Sequence, residues 1–87
     1  MKSFEDLFAE LKLKAKARPE GSGTVKDIDA RVHKIGKKLV EEAHDTWHPA
    51  EYESRDVFSS SVSKLTHHAQ VLMIANGVSL AAAYRNL

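Results

Sequence analysis

The stretch T-V-K-D-I-D-A-R-V-H-K-I-G-K-K-L-V-E-E-A, residues 24–43, decides the fold class. Its apolar residues recur at steps of three and four, which is the spacing of one face of an α-helix. They are Val25, Ile28, Val32, Ile35, Leu39 and Ala43. Thr24 with Asp27 predicts the helix start, and the pattern extends to Trp47 or Glu53. A continuous apolar stripe of this length is typical of a helix bundle.

The segment before this stretch predicts another helix. Ser3 and Asp6 have the spacing of a capping box, and apolar residues follow at helical intervals. We therefore expect a first helix from Phe4 to about Ala17. The stretch R-P-E-G-S-G-T, residues 18–24, predicts a loop because it combines proline and glycine with small polar residues.

The second half of the chain predicts two further helices. Ser54 is a suitable cap for a helix over residues 55–76, with Gly77 as its stop, and Ser79 can cap a short last helix. Pro49 lacks a backbone N–H, so we expect a kink or an early end of the preceding helix between Asp45 and Pro49. The predicted fold is all-α, a bundle of three longer helices plus a short C-terminal helix.

Composition narrows the class of protein. The 87 residues suffice for one small domain, which gains stability from oligomerising. The absence of cysteine excludes disulfides and thiolate metal sites. No apolar run approaches the roughly 20 residues of a membrane span, and M-K-S-F-E-D does not resemble a signal peptide. With a net charge of +1, we expect a cytoplasmic protein with neither nucleic-acid nor membrane partners.

Acidic residues at the end of the quoted stretch are candidates for a metal site. Glu41 and Asp45 are four residues apart, and Glu42 lies between them, in E-E-A-H-D. Carboxylates four apart share a side of a helix and can hold a hard cation such as Mg²⁺. The same pattern is also typical of a solvated helix face. The spacing alone leaves both interpretations open.

The order of motifs along the chain resembles a known family. These motifs are F-E-D-L-F-A-E-L, V-H-K-I-G-K-K-L-V-E-E-A, W-H-P-A-E-Y-E-S and Q-V-L-M-I-A-N-G-V-S-L-A-A-A-Y-R-N-L. Together they resemble phosphoribosyl-ATP pyrophosphohydrolase of histidine biosynthesis, which is related to the MazG-type nucleotide pyrophosphatases. The resemblance implies an all-α homodimer that hydrolyses phosphoribosyl-ATP to phosphoribosyl-AMP and pyrophosphate with Mg²⁺.

The resemblance also implies roles for individual residues. Glu41, Glu42 and Asp45 match the first acidic motif, usually E-E-x-x-E, and would hold Mg²⁺. Lys37 and Lys38 match the family's basic pair and would contact substrate phosphates.

The second acidic motif of the family is missing. Ser61 stands where the family has Glu, and Lys64 stands where it has Asp or Gln. Serine is a weak neutral ligand, and an ammonium repels a metal cation. We therefore interpret the catalytic site as damaged and leave open whether the protein is an enzyme. No cofactor is certain, and Mg²⁺ is implied only for an active enzyme.

The departures from the family are concentrated in one helical hairpin, residues 44–68, whereas the flanking segments match it. Such clustering favours a surface given a new task, by divergence or by engineering, and predicts a protein-binding module with an unknown partner. The candidate contact residues are His44, His48, Tyr52, Arg55, Phe58, Ser61, Lys64 and His67. Trp47 and Phe58 lie near the apolar stripes, so burial in the core is the simpler expectation for both.

A zinc site is a further alternative. His44 and His48 are four residues apart, which places both imidazoles on one face of a helix. Asp45, His67 or His68 would complete such a site if the helices pack closely.

Overall fold

A computed structural model describes all 87 residues and contains five α-helices and no strand. The helices are α1 (Phe4–Ala17), α2 (Gly23–Asp29), α3 (Arg31–Tyr52), α4 (Arg55–Ala75) and α5 (Leu80–Tyr84). The all-α prediction is confirmed. The predicted count is corrected, because two short helices, and not one, accompany the three longer ones.

Short polar side chains cap the helices where the sequence predicts. Ser3 and Asp6 form a reciprocal capping box at the start of α1. Ser54 and Ser79 accept backbone N–H groups at the starts of α4 and α5. Gly77 follows α4 with φ of 71°, a left-handed conformation that favours glycine. The boundaries of α1, α4 and α5 follow from these local signals.

The predicted second helix is in fact two helices. The chain breaks at Ala30–Arg31, where Arg31 has φ of 70°, which costs a non-glycine residue roughly 1–2 kcal/mol. Ser22, and not Thr24, caps α2 by accepting the Val25 N–H. Ile28 of α2 packs against the core. Tertiary packing therefore overrides the continuous stripe.

Helix α3 continues through Pro49 to Tyr52, so the predicted early end is wrong. Pro49 is buried, and its carbonyl accepts the Glu53 N–H at 3.0 Å. Because proline has no N–H, the Asp45 carbonyl lacks its usual partner four residues on. Burial of the ring helps to offset that loss.

The core lies where α1, α3 and α4 meet. Leu11, Ile35 and Val71 are buried together, with α2 and the end of α4 packed around them. Gln70 is also fully buried, and its Nε2 donates to the Phe4 carbonyl at 2.9 Å. Tyr84 donates to Glu5 at 2.6 Å and so joins α5 to α1. This hydrogen bond lowers the pKa of Glu5 and raises that of Tyr84.

Only part of the apolar stripe is buried within one chain. Ile35 points into the core, whereas Val32, Val40 and Ala43 are exposed on the outer side of α3. Only eight of the 87 residues are buried, which is a small core for a folded domain. The outer face of α3 is therefore an unpartnered apolar surface. None of the helices combines the length and the apolar character required to cross a bilayer.

Candidate functional site

The three carboxylates of the first acidic motif diverge. Glu42 turns toward α4, and its Oε1 lies 2.6 Å from Nδ1 of His68. Glu41 and Asp45 are exposed, and Glu41 borders a groove that Val32 and Val40 also line. No three His, Asp or Glu side chains gather anywhere in the chain as metal ligands do.

The positions on α4 that the resemblance assigns to carboxylates supply no such ligands. The Ser61 hydroxyl donates to the Val57 carbonyl at 3.0 Å, and Lys64 is exposed. A hard cation needs several convergent oxygen ligands. The residues of a single chain therefore do not fit a Mg²⁺ site, and no catalytic step is derived through one.

A polar network between α2, α3 and α4 occupies the groups expected to do chemistry. Asp27 is buried, and Lys38 donates to its Oδ1 at 2.7 Å. His68 Nε2 lies 3.6 Å from the other oxygen of Asp27. Lys38, expected to contact phosphate, is thus engaged by a carboxylate, whereas Lys37 is exposed.

The histidine of this network has two neighbours on one nitrogen. Nδ1 of His68 lies 3.2 Å from the Lys64 carbonyl, which can only accept, so Nδ1 carries the hydrogen. Glu42 Oε1 is closer but has no aligned hydrogen bond. The contact of Glu42 with His68 is therefore mainly electrostatic and strengthens when the imidazole is protonated.

An open pocket of about 520 Å³ lies beside this network. Its walls are the loop at residues 19–24 together with Lys14, Asp27, Lys38, His67 and His68. His67, expected on the hairpin surface, is half-buried here, and burial is the main cause that lowers its pKa. No sequence pattern indicated that Asp27 and Lys14 would join this pocket, because Asp27 was predicted only as a helix-start residue.

An exposed row of rings follows α3 toward the turn between α3 and α4. The centroid of the His44 ring lies 6.1 Å from that of Trp47, which it meets edge-on, and 6.4 Å from that of His48, on which it stacks. The centroids of His48 and Tyr52 are 5.1 Å apart. Spacings of three and four residues bring these side chains together. We call these four residues the aromatic row.

The predicted burial of Trp47 is wrong. Its side chain is 60% exposed, Tyr52 is 70% exposed, and Phe58 retains 37% exposure on α4. The end of the hairpin carries no third layer of helices to cover these rings. They are surface side chains in the single chain.

A groove of about 340 Å³ lies beside the aromatic row, between α3 and α4. It is lined by His44, Asp45, His48, Pro49, Glu53, Val57 and Ser61. Three of the expected contact residues, His44, His48 and Ser61, thus line one groove. Arg55 and Lys64 are exposed on α4, whereas His67 lies apart in the polar pocket.

The two histidines of the groove pair with carboxylates. His44 Nδ1 lies 3.5 Å from Asp45, and His48 Nδ1 lies 3.6 Å from Glu53. His67 and His68, the expected additional zinc ligands, line the separate polar pocket. The structure gathers no third ligand around His44 and His48.

No protein-family model matches this chain.

Proposed function

We propose that the chain is a protein-binding module, built on a helical scaffold that resembles phosphoribosyl-ATP pyrophosphohydrolase. The exposed aromatic row carries this proposal. Aromatic side chains are typical anchors of protein interfaces, because they bury much surface and lose little conformational entropy. Trp47 and Tyr52 present their rings to solvent, and the groove beside them can receive a side chain of a partner.

The arrangement of polar groups favours binding over catalysis. Glu42 and Lys38 are engaged by His68 and Asp27, which keeps both from a substrate. Glu41 and Asp45 point elsewhere, and α4 offers Ser61 and Lys64 in place of acids. A pyrophosphohydrolase needs groups that position the attacking water and stabilise charge on the phosphates. In this chain Lys38 and Glu42 instead take part in contacts between helices.

We further propose that the protein is a homodimer through the outer face of α3. Val32, Gly36, Val40 and Ala43 share this face at about 100° per residue. A second copy would cover apolar side chains that a small core leaves in water. The tip of the hairpin then remains free for a different partner.

Site-specific photo-crosslinking tests the binding function. A benzophenone amino acid at Tyr52 should capture a discrete partner from cells that express the protein. The same probe at Lys16, exposed on α1 far along the chain from the hairpin, is the matched control. The Trp47→Ala change in the probe-bearing chain should abolish the adduct. Equal labelling from both positions would contradict the proposal.

Pyrophosphate release from phosphoribosyl-ATP with Mg²⁺ tests the competing enzymatic function. We expect no turnover from the folded protein. Turnover that Glu42→Gln abolishes and Tyr52→Ala preserves would overturn the proposal in favour of the pyrophosphohydrolase.

A further inference from the structure

The chemistry of the groove suggests which kind of partner the surface takes. We infer that the partner is a protein with a basic contact surface, and that one protruding arginine or lysine enters the groove beside the aromatic row. This inference rests on the proposed binding function and specifies its partner. It depends on three features of the hairpin tip, residues 44–58: the groove, the exposed rings and the charge.

The groove has the lining that a long basic side chain requires. Asp45 and Glu53 stand on α3 and at its end, and Pro49 and Val57 provide apolar wall between the helices. The methylenes of arginine or lysine pack against apolar surface, while the charged head needs a carboxylate. The volume of about 340 Å³ is ample for one such side chain.

The exposed rings favour a cation over a neutral group. Tyr52 and Trp47 flank the histidines that line the groove. An arginine guanidinium stacks on aromatic faces and pairs with carboxylates at the same time. The exposed rings beside the groove and the carboxylates that line it correspond to these two contacts of an arginine.

The charge of the tip selects against acidic partners. Asp45, Glu51, Glu53 and Asp56 face a single cation, Arg55, which gives the tip a net charge of −3 with neutral histidines. None of these four carboxylates pairs with a lysine or an arginine. Elsewhere, three carboxylates, Glu10, Asp27 and Asp29, pair with lysine or arginine. Complementary potential accelerates encounter with a basic surface and penalises an acidic one.

An NMR titration tests the inference with two short probes. The first is the peptide acetyl-Gly-Arg-Gly-Arg-Gly-amide, and the second replaces each arginine with citrulline, its neutral isostere. We expect the arginine peptide to shift the amide signals of Asp45, Glu53 and Val57, and the citrulline peptide to leave them unchanged. Equal shifts from both peptides, or arginine shifts confined to the polar pocket, would overturn the inference.

Matched variants distinguish binding in the groove from general electrostatic attraction to the tip. Asp45→Asn with Glu53→Gln should weaken binding of the arginine peptide about fivefold, as for exposed ion pairs. Glu51→Gln removes a charge from the same tip outside the groove lining. It should change affinity less than about twofold at physiological salt, where the screening length is about 8 Å. Equal effects of the two changes would contradict a groove for a basic side chain.

Two other outcomes assign the surface differently. Tip signals that shift with protein concentration alone would show that a second copy occupies the groove, and the inference would fail. An adduct from the Tyr52 probe with a partner that contacts the groove through acidic or neutral residues would also overturn it, while the binding function would stand. Loss of specific crosslinking from Tyr52 would contradict the binding function itself.

Discussion

Glu42 approaches His68 to 2.6 Å across the interface between α3 and α4. Both side chains are more than four-fifths buried, so this pair lies among the inter-helix contacts and not on a solvated face. The acidic residue that resemblance assigns to metal binding thus supports packing in this chain. His68 also lies 3.6 Å from Asp27, so removal of its imidazole affects both carboxylates.

His68→Ala should destabilise the fold, because Glu42 and Asp27 then lose a polar neighbour inside the protein. We expect a loss of about 1–3 kcal/mol in the free energy of unfolding, measured by urea denaturation at pH 7. His44→Ala is the control, since His44 is 65% exposed and should change stability by less than about 0.5 kcal/mol. Equal losses in the two variants would argue against a structural role for His68.

Asp27→Asn tests the ion pair that holds α2 against α3. The change removes the charge of a buried acceptor 2.7 Å from Lys38, so we expect a loss of about 1–3 kcal/mol. Asp29→Asn removes an equally short pair with Arg18, but both of those side chains are about half exposed. Exposed pairs contribute at most about 1 kcal/mol. A ranking in the opposite order by urea denaturation would contradict this account.

The half-buried position of His67 predicts a loss of stability on acidification. Its pKa is lowered in the folded state, chiefly by burial, so the unfolded chain takes up the proton first as pH falls. The stability that neutral His67 contributes is fully present above its unfolded pKa of about 6.5. It is lost as the pH falls toward the lower pKa of the folded state. His67→Gln should therefore flatten the decline between pH 7 and pH 5. A decline as steep in His67→Gln as in the unchanged protein would contradict this account.

The proposed homodimer predicts a specific sensitivity on the outer face of α3. Val40 is 72% exposed in the single chain, so Val40→Glu leaves the monomer core intact. A buried carboxylate in the proposed interface would have no partner, and the mass measured by analytical ultracentrifugation should fall from dimer to monomer. Lys34→Glu, an exposed change on the same helix, is the control. A wild-type protein that sediments as a monomer would contradict the dimer directly.

Local chemistry made much of the fold predictable. Ser3, Ser54 and Ser79 cap helices through contacts within four residues, and such contacts depend little on the rest of the molecule. The end of α4 at Gly77 follows from the same kind of signal. The predicted boundaries of α1 and the predicted start of α4 after Ser54 are accordingly correct.

The misplaced features depend on packing between distant segments. No glycine or proline marks the break at Arg31 in the sequence. The break accompanies the packing of Ile28 against the core. Trp47 lies near an apolar stripe, yet its side chain is 60% exposed in the folded chain. The grouping of Asp27, Lys38 and His68 needs three helices to meet, which spacing along one helix cannot reveal.

Because Pro49 lacks a backbone N–H, the end of α3 should open locally more often than the rest of the helix. The last turn of the helix lacks the hydrogen bond that a residue-49 N–H would donate, and the Thr46 hydroxyl competes for the Glu42 carbonyl at 2.7 Å. Amide deuteration should therefore spread through residues 50–53 well before it reaches the turn around Ile35. A partner that docks on the tip would slow this exchange selectively, so occupancy can be followed on the intact protein with no probe attached to either molecule.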